Sequence, residues 1–379
     1  MLISLALHVF VRPWSIFPSE STLEIVDVDA GLSLSLDLMA GADEPAPPSP
    51  PPAPVEVPHG GGPRASDAGA PKPVHKPLDN PDAGIDRTAT KATEMVGAAG
   101  QVQPGVPLVV LLINMAEIRK NSIGRAIGPL LTAIPQWNEF MSGTNVDPVR
   151  DTNWFMIQGP SLADTARDAI LIQYSAPDSV VDHAIKLISQ KYDSGGKFHL
   201  GVRGVHAMLA HADRAPRVFL RPQPHLVAIV PPDYAVTAAK ILSHARVNPN
   251  VRQGEALRLS LQKPYLALSF LPKTIKSLLL WIEPRDNDAG ELFIDFDCTD
   301  ARAAAETAAA IRETVNSQNT FAVRVLSLRL LDRVRVSAQG THAHVSLRAS
   351  RDQLSALFAF AGGKLGVTTT SVGSRNAKE

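Results

Sequence analysis

The chain has 379 residues, with 37 Lys and Arg balanced by 37 Asp and Glu, and one cysteine. Charge balance excludes a whole-molecule field that would draw in nucleic acid or an anionic membrane, so phosphate binding would need a local basic face. The lone Cys298 excludes an intramolecular disulfide and a Cys-rich zinc site, and the length allows one large core or two modest ones plus a tail.

The chain begins MLISLALHVF, apolar except for Ser4 and His8 and ended by Arg12. A bilayer-spanning helix needs roughly 20 apolar residues, so this run is about half a span. It lacks the basic n-region and small-residue cleavage site of a secretory signal. Three readings stand: a buried terminal element, a weak signal, or the outer part of a membrane helix whose start lies upstream of Met1. The third is favoured because Ser4 and His8, at i and i+4, share a helix face, and a polar pair in lipid meets a partner helix or a proton path.

In this S-x-x-x-H spacing the segment resembles the anchor of TonB/TolA-type energy transducers. The resemblance implies that residues 1–17 form a partial membrane anchor in which Ser4 and His8 contact a proton-motive motor complex.

Residues 18–40 read as a β-hairpin. Leu32, Leu34, Leu36 and Leu38 alternate with polar residues, Leu23, Ile25, Val26 and Val28 form the partner strand, and Asp29-Ala30-Gly31 is the turn. Residues 41–105 are crowded with Pro and Gly and nearly empty of large apolar side chains. Such a stretch cannot offset its ordering entropy and reads as a disordered linker with polyproline character at its start. At ~3.1 Å per residue, even 30 extended residues reach about 90 Å, enough to cross a periplasm. Anchor, proline-rich spacer and C-terminal domain is also the TonB-type order, although the body itself departs from the TonB domain and is similar only to uncharacterised bacterial envelope α+β domains.

From residue 106 the pattern turns globular. PLVVLLINM, NWFMIQGP and AILIQYSAP read as strands, with a helix between the first two from Ile123 to Trp137 that Pro129 and Pro135 should interrupt. A helix follows with Ser175 as N-cap and Val180 or Val181, Ala184, Ile185 and Ile188 inward. VHAMLAH, RVFLRP and HLVAIVP are strands, and PPDYAVTAAKILSHA is a helix. SLLLWIEP and ELFIDFDC form a hairpin leading into a helix over 300–316. FAVRVLSLRLLDR is ambiguous between helix and strand. VRVSAQGTHAHVSLRAS is a hairpin turning at Gln339-Gly340, and a last helix opens with a Ser350/Gln353 capping box and buries Leu354, Leu357, Phe358 and Ala361.

Strand-strand-helix units thus recur at 172–190, 218–244, 278–316 and 334–361. The expected fold class is α+β, with mainly antiparallel sheets, helices on one face, and two related subdomains over 106–245 and 246–367. The less regular stretch 245–275 divides them, and residues 368–379 form a disordered tail.

Chemistry-bearing motifs are sparse. No G-x-S-x-G, P-loop, H-E-x-x-H or G-x-G-x-x-G after a strand is present. His342 and His344 share a strand face, but a metal site needs a third ligand and none announces itself. Asp295 and Asp297 share a face with Asp300 just beyond; since Leu292, Ile294, Phe296 and Cys298 point inward, the aspartates are expected in solvent. His206 and His211 point to opposite strand faces, His183 is solvated, and Cys298 is a small buried hydrophobe. Lys240, Arg246, Arg252, Arg258, Lys263, Lys273 and Lys276 form a basic block, followed in sequence by the acidic block Glu283, Asp286, Asp288, Glu291, Asp295, Asp297 and Asp300; such blocks pair within the fold or mark two faces offered to partners, and internal pairing or solvation is the ordinary outcome.

Accordingly no catalytic residue, metal or cofactor is expected. The favoured function is a non-enzymatic binding or force-transmitting protein, anchored in the inner membrane with its bulk in the periplasm. Its partners would be a motor complex and an envelope protein or peptidoglycan, not nucleic acid. The alternatives are a soluble enzyme with its site between the subdomains and a purely structural envelope domain.

Overall fold

A computed structural model describes residues 91–364 except 122–123, 125–142, 161–164, 192–194, 213–214, 249–250, 252–253, 269, 321–323 and 325–326, and of 358–364 it describes only the helical backbone. The expected anchor with Ser4 and His8, the hairpin at 18–40, the spacer up to residue 90, most of the helix at 123–137 and the tail at 368–379 lie outside the described residues.

Among the described residues the body is α+β, built on an antiparallel sheet of 12 strands. In chain order these are β1 (Val109–Asn114), β2 (Thr152–Gly159), β3 (Ala169–Tyr174), β4 (Gly196–Lys197), β5 (His206–Ala212), β6 (Ala215–Gln223), β7 (Leu226–Val230), β8 (Leu257–Gln262), β9 (Ile275–Pro284), β10 (Gly290–Cys298), β11 (Val334–Gln339) and β12 (His342–Ala349). Across the sheet they run β11-β12-β10-β9-β8-β1-β2-β3-β7-β6-β5-β4. Among the described residues the longer helices are α1 (Asp178–Gln190), α2 (Ala235–His244), α3 (Ala301–Gln318) and α4 (Arg351–Lys364).

Strand alternation sets the two faces. On β7, Val227 and Ile229 join one core with Phe219 and the inner residues of α1, Val181, Ile185 and Ile188. Their neighbours Leu226, Ala228 and Val230 join another with Ala235, Ala238, Ala239 and Leu242 of α2. Successive strand residues point to opposite faces, so α1 and α2 lie on opposite sides of the sheet. Helix α3 packs Ala303, Ala304 and Ala308 against Leu278, Leu280, Phe296 and Cys298. The expectation of helices on one face is therefore corrected. Strands β2, β3, β6 and β7 carry apolar residues at consecutive positions, and a strand apolar on both faces needs cover on both.

The irregular stretch 245–275 conceals a strand. Leu257, Leu259 and Leu261 alternate with Arg258, Ser260 and Gln262 to form β8, which pairs with β1 on one side and β9 on the other. This strand makes the sheet continuous where a division was expected. The expected linker does not extend to residue 105. Residues Ala92–Met95 and Ala98–Gln101 form short helical turns, and Ala92, Met95, Val96, Ala99 and Val102 join the core on the α2 face.

Helix starts test the local rules. Asp300 caps α3, its side chain accepting from the Ala303 N–H at 2.8 Å. At α4, Gln353 Oε1 accepts from the Ser350 N–H at 2.8 Å, and Ser350 Oγ accepts from the Gln353 N–H at 3.4 Å. Gln353 is buried, whereas Leu354 and Leu357 are only half-buried. Ser175 does not cap α1; the helix starts at Asp178 with Pro177 as N-cap. A residue before proline is pushed away from helical backbone, so Ala176 cannot sit in a first turn begun by Ser175. The ambiguous FAVRVLSLRLLDR contributes a short helical turn, Leu330–Arg333, before β11.

Candidate functional site

The arrangement with most chemical content lies on β10 and β12, on the sheet face opposite α3. These strands are far apart in sequence, with α3 and β11 between them, yet they pair with Asp295 opposite His344 and Asp297 opposite His342. The sheet thereby supplies the third group that the sequence did not reveal beside His342 and His344. Asp295 Oδ1 lies 2.9 Å from His342 Nδ1, within hydrogen-bond range, and Oδ2 lies 3.4 Å from His344 Nδ1. The two imidazoles are nearly parallel, 7° apart, with centroids 5.9 Å apart.

Burial separates the partners. Asp295 is 5% exposed, while the side chains of His342 and His344 are 43% and 39% exposed. The expectation that Asp295 stands in solvent is thus corrected: the two rings cover it. A buried carboxylate must be paired or hydrogen-bonded, and here the His342 ring stands at hydrogen-bond distance with the His344 ring beside it. Asp297 follows the expectation better, half-buried and bridged to Lys276 at 3.0 Å.

Beside this cluster, Trp281 stacks on Phe293 with centroids 5.0 Å apart and planes 13° apart. The Arg258 guanidinium lies over Trp281 at 5.8 Å and makes a two-pronged pair with Glu255, both contacts at 2.8 Å. Trp281 Nε1 donates to Glu283 Oε1 at 3.0 Å, and Glu283 meets Arg285, which also pairs with Glu291. Two residues of the basic block, Arg258 and Lys276, and three of the acidic block, Glu283, Glu291 and Asp297, are thus engaged in ion pairs within the fold, with Lys276–Asp297 joining the two blocks.

The remaining sequence candidates are not brought together. Cys298 is fully buried, its Sγ 3.7 Å from Thr307 Oγ1, and burial raises its thiol above the ordinary range. Burial keeps it away from solvent. His206 and His211 both sit on β5, and His183 is exposed on α1. Asp300 is engaged in its cap. Sequence reading passed over a second ionic cluster, in which Arg221 pairs with Asp178 at 2.9 Å and Asp182 at 2.6 Å while Tyr174 donates to Asp178 at 2.7 Å. It staples the start of α1 to β3 and β6. Three residue types from three elements left no local signal.

Among the described residues no group of three or more His, Cys, Asp or Glu is placed to enclose a metal ion. No described helix is long and apolar enough to cross a membrane. No family model matches the sequence, and no curated protein matches it. Among solved structures, crystal form I of TP0453 superposes with a TM-score of 0.37 at 13% identity, covering 67% of this chain and 94% of that one. A likeness that loose assigns neither fold nor function.

Proposed function

We propose that the chain is a non-enzymatic binding or force-transmitting protein of the cell envelope. Residues 1–17 anchor it in the inner membrane, with Ser4 and His8 facing a proton-motive motor complex, and the Pro/Gly-rich stretch carries the sheet into the periplasm. The partner there is an envelope protein or peptidoglycan.

The observation that favours a binding body is the character of the β11–β12 end of the sheet. Arg335, Ser337, Ala338 and Gln339 of the edge strand are exposed, and His342 and His344 stand half-exposed beside them. This is a broad polar surface ending in a strand edge, the kind of surface on which another chain adds by backbone pairing. On this reading the two halves of the sheet are related subdomains. Each has three successive strands, a helix, a strand returning beside the third, and a second helix: β1-β2-β3-α1-β7-α2 and β8-β9-β10-α3-β12-α4.

Fractionation of the native full-length protein tests the proposal. It predicts recovery with inner membranes and a loss of function in Ser4→Ala and His8→Ala chains of unchanged abundance. Recovery wholly in the cytosol would end the reading.

A further inference from the structure

We propose that His342 and His344 bind one first-row transition-metal ion of the imidazole-seeking class, Cu(II) most tightly, with Asp295 as the positioning carboxylate. Three features of the cluster carry this inference, and none depends on the envelope reading.

Spacing comes first. Residues i and i+2 of β12 project from one face, and their rings stand parallel at 5.9 Å, two donors of one kind side by side. The second feature is the carboxylate behind the rings. Asp295 Oδ1 lies 2.9 Å from His342 Nδ1, within hydrogen-bond range, and Oδ2 lies 3.4 Å from His344 Nδ1. In each ring the Nδ1 atom faces the carboxylate, which leaves Nε2 on the far side as the donor for an ion. A carboxylate behind the ring is the usual support of a metal-binding histidine.

Access is the third feature. Asp295 is buried, whereas both imidazoles are about two-fifths exposed, so the outward nitrogens can be reached without unfolding the sheet. To share an ion at ~2.0–2.1 Å from each nitrogen the rings must tilt toward one another. Partly exposed side chains have that freedom. Because no third protein ligand is gathered among the described residues, the ion keeps open positions for water or for a donor from a partner. The order of divalent affinities at nitrogen sites places Cu(II) above Ni(II) and Zn(II).

The test titrates Cu(II) into the full-length chain by calorimetry, with electron paramagnetic resonance to read nitrogen coordination. The chain has 11 histidines, so the assignment rests on variants. The expected result is one ion per chain lost in the His342→Ala/His344→Ala double variant, with a two-nitrogen signature in the wild type. Asp295→Asn should weaken binding about 10- to 100-fold, as loss of an outer-shell carboxylate typically does. Should Asp295→Asn fail to fold, the single His342→Ala and His344→Ala variants at the partly exposed positions decide the matter. Cu(II) affinity and spectrum unchanged in the double variant would overturn the proposal. The readout involves no membrane or partner, so its failure is distinguishable from failure of the envelope reading.

Discussion

Arg258 is the residue on which the join between the two halves of the sheet can be tested energetically. It lies on β8, is 1% exposed, pairs with Glu255 through two contacts of 2.8 Å, and covers the Trp281 ring. Arg258→Ala removes the guanidinium from a carboxylate whose side chain is only 6% exposed. Breaking a buried ion pair from one side costs about 3–5 kcal/mol, because the remaining charge loses a direct charged contact and stays out of water. In a body of this size about 1 kcal/mol lowers Tm by ~2–4 °C, so the variant should melt roughly 6–20 °C lower. Replacing both partners, Arg258→Met with Glu255→Met, removes charge and counter-charge together and should recover most of the loss. Chemical unfolding followed by circular dichroism measures both chains. A single-variant loss under ~1 kcal/mol, or a double variant as unstable as the sum of its parts, would refute this account of β8.

Two further outcomes follow from the core. Burial pushes the Asp178 carboxyl upward, but the Tyr174 hydroxyl, the His225 N–H and Arg221 outweigh it, leaving the group below its ordinary range. Its contribution is therefore present above the unfolded carboxylate pKa of about 3.9 and is lost as pH falls through the lower folded value. Tyr174 is shifted upward by burial and by Asp178, so its contribution is complete below about pH 10 and fades as pH rises. Tyr174→Phe should weaken both the acid and the alkaline dependence of Tm, and unchanged profiles would refute the staple. Gly159 ends β2 where an added Cβ would stand 1.7 Å from Asp168 Oδ1. Gly159→Ala should cost about 1–3 kcal/mol or more, read from the urea midpoint, and an unmoved midpoint would contradict the close approach.

Much of the fold was legible because strand alternation and helix caps are local signals. The β9–β10 and β11–β12 hairpins, the inner face of α1 and the Ser350/Gln353 box all follow from residues a few positions apart. Strand β8 was missed although Leu257, Leu259 and Leu261 alternate, because its polar set includes the buried Arg258 and it closes on Lys263-Pro264. The His342–Asp295–His344 cluster was illegible for another reason. Its members are joined by the register of two strands separated by 47 positions, with a helix and a strand between them. Periodicity placed Asp295 on the polar face correctly but could not say that two imidazoles would cover it. The spacer boundary failed because the Ala- and Gly-rich residues 92–102 look like linker; small side chains are also what lets a chain pack closely against α2.

The envelope placement is tested most directly by the topology of the sheet. Gln339 is exposed at the tip of the β11–β12 hairpin, while Cys298, the chain's single thiol, is buried. A full-length Gln339→Cys chain therefore offers one accessible thiol to a membrane-impermeant maleimide. The account predicts labelling in cells whose outer membrane alone has been opened, on protein that sediments with the inner membrane, with the parent chain unlabelled. Labelling that appears only after the inner membrane is ruptured would contradict it.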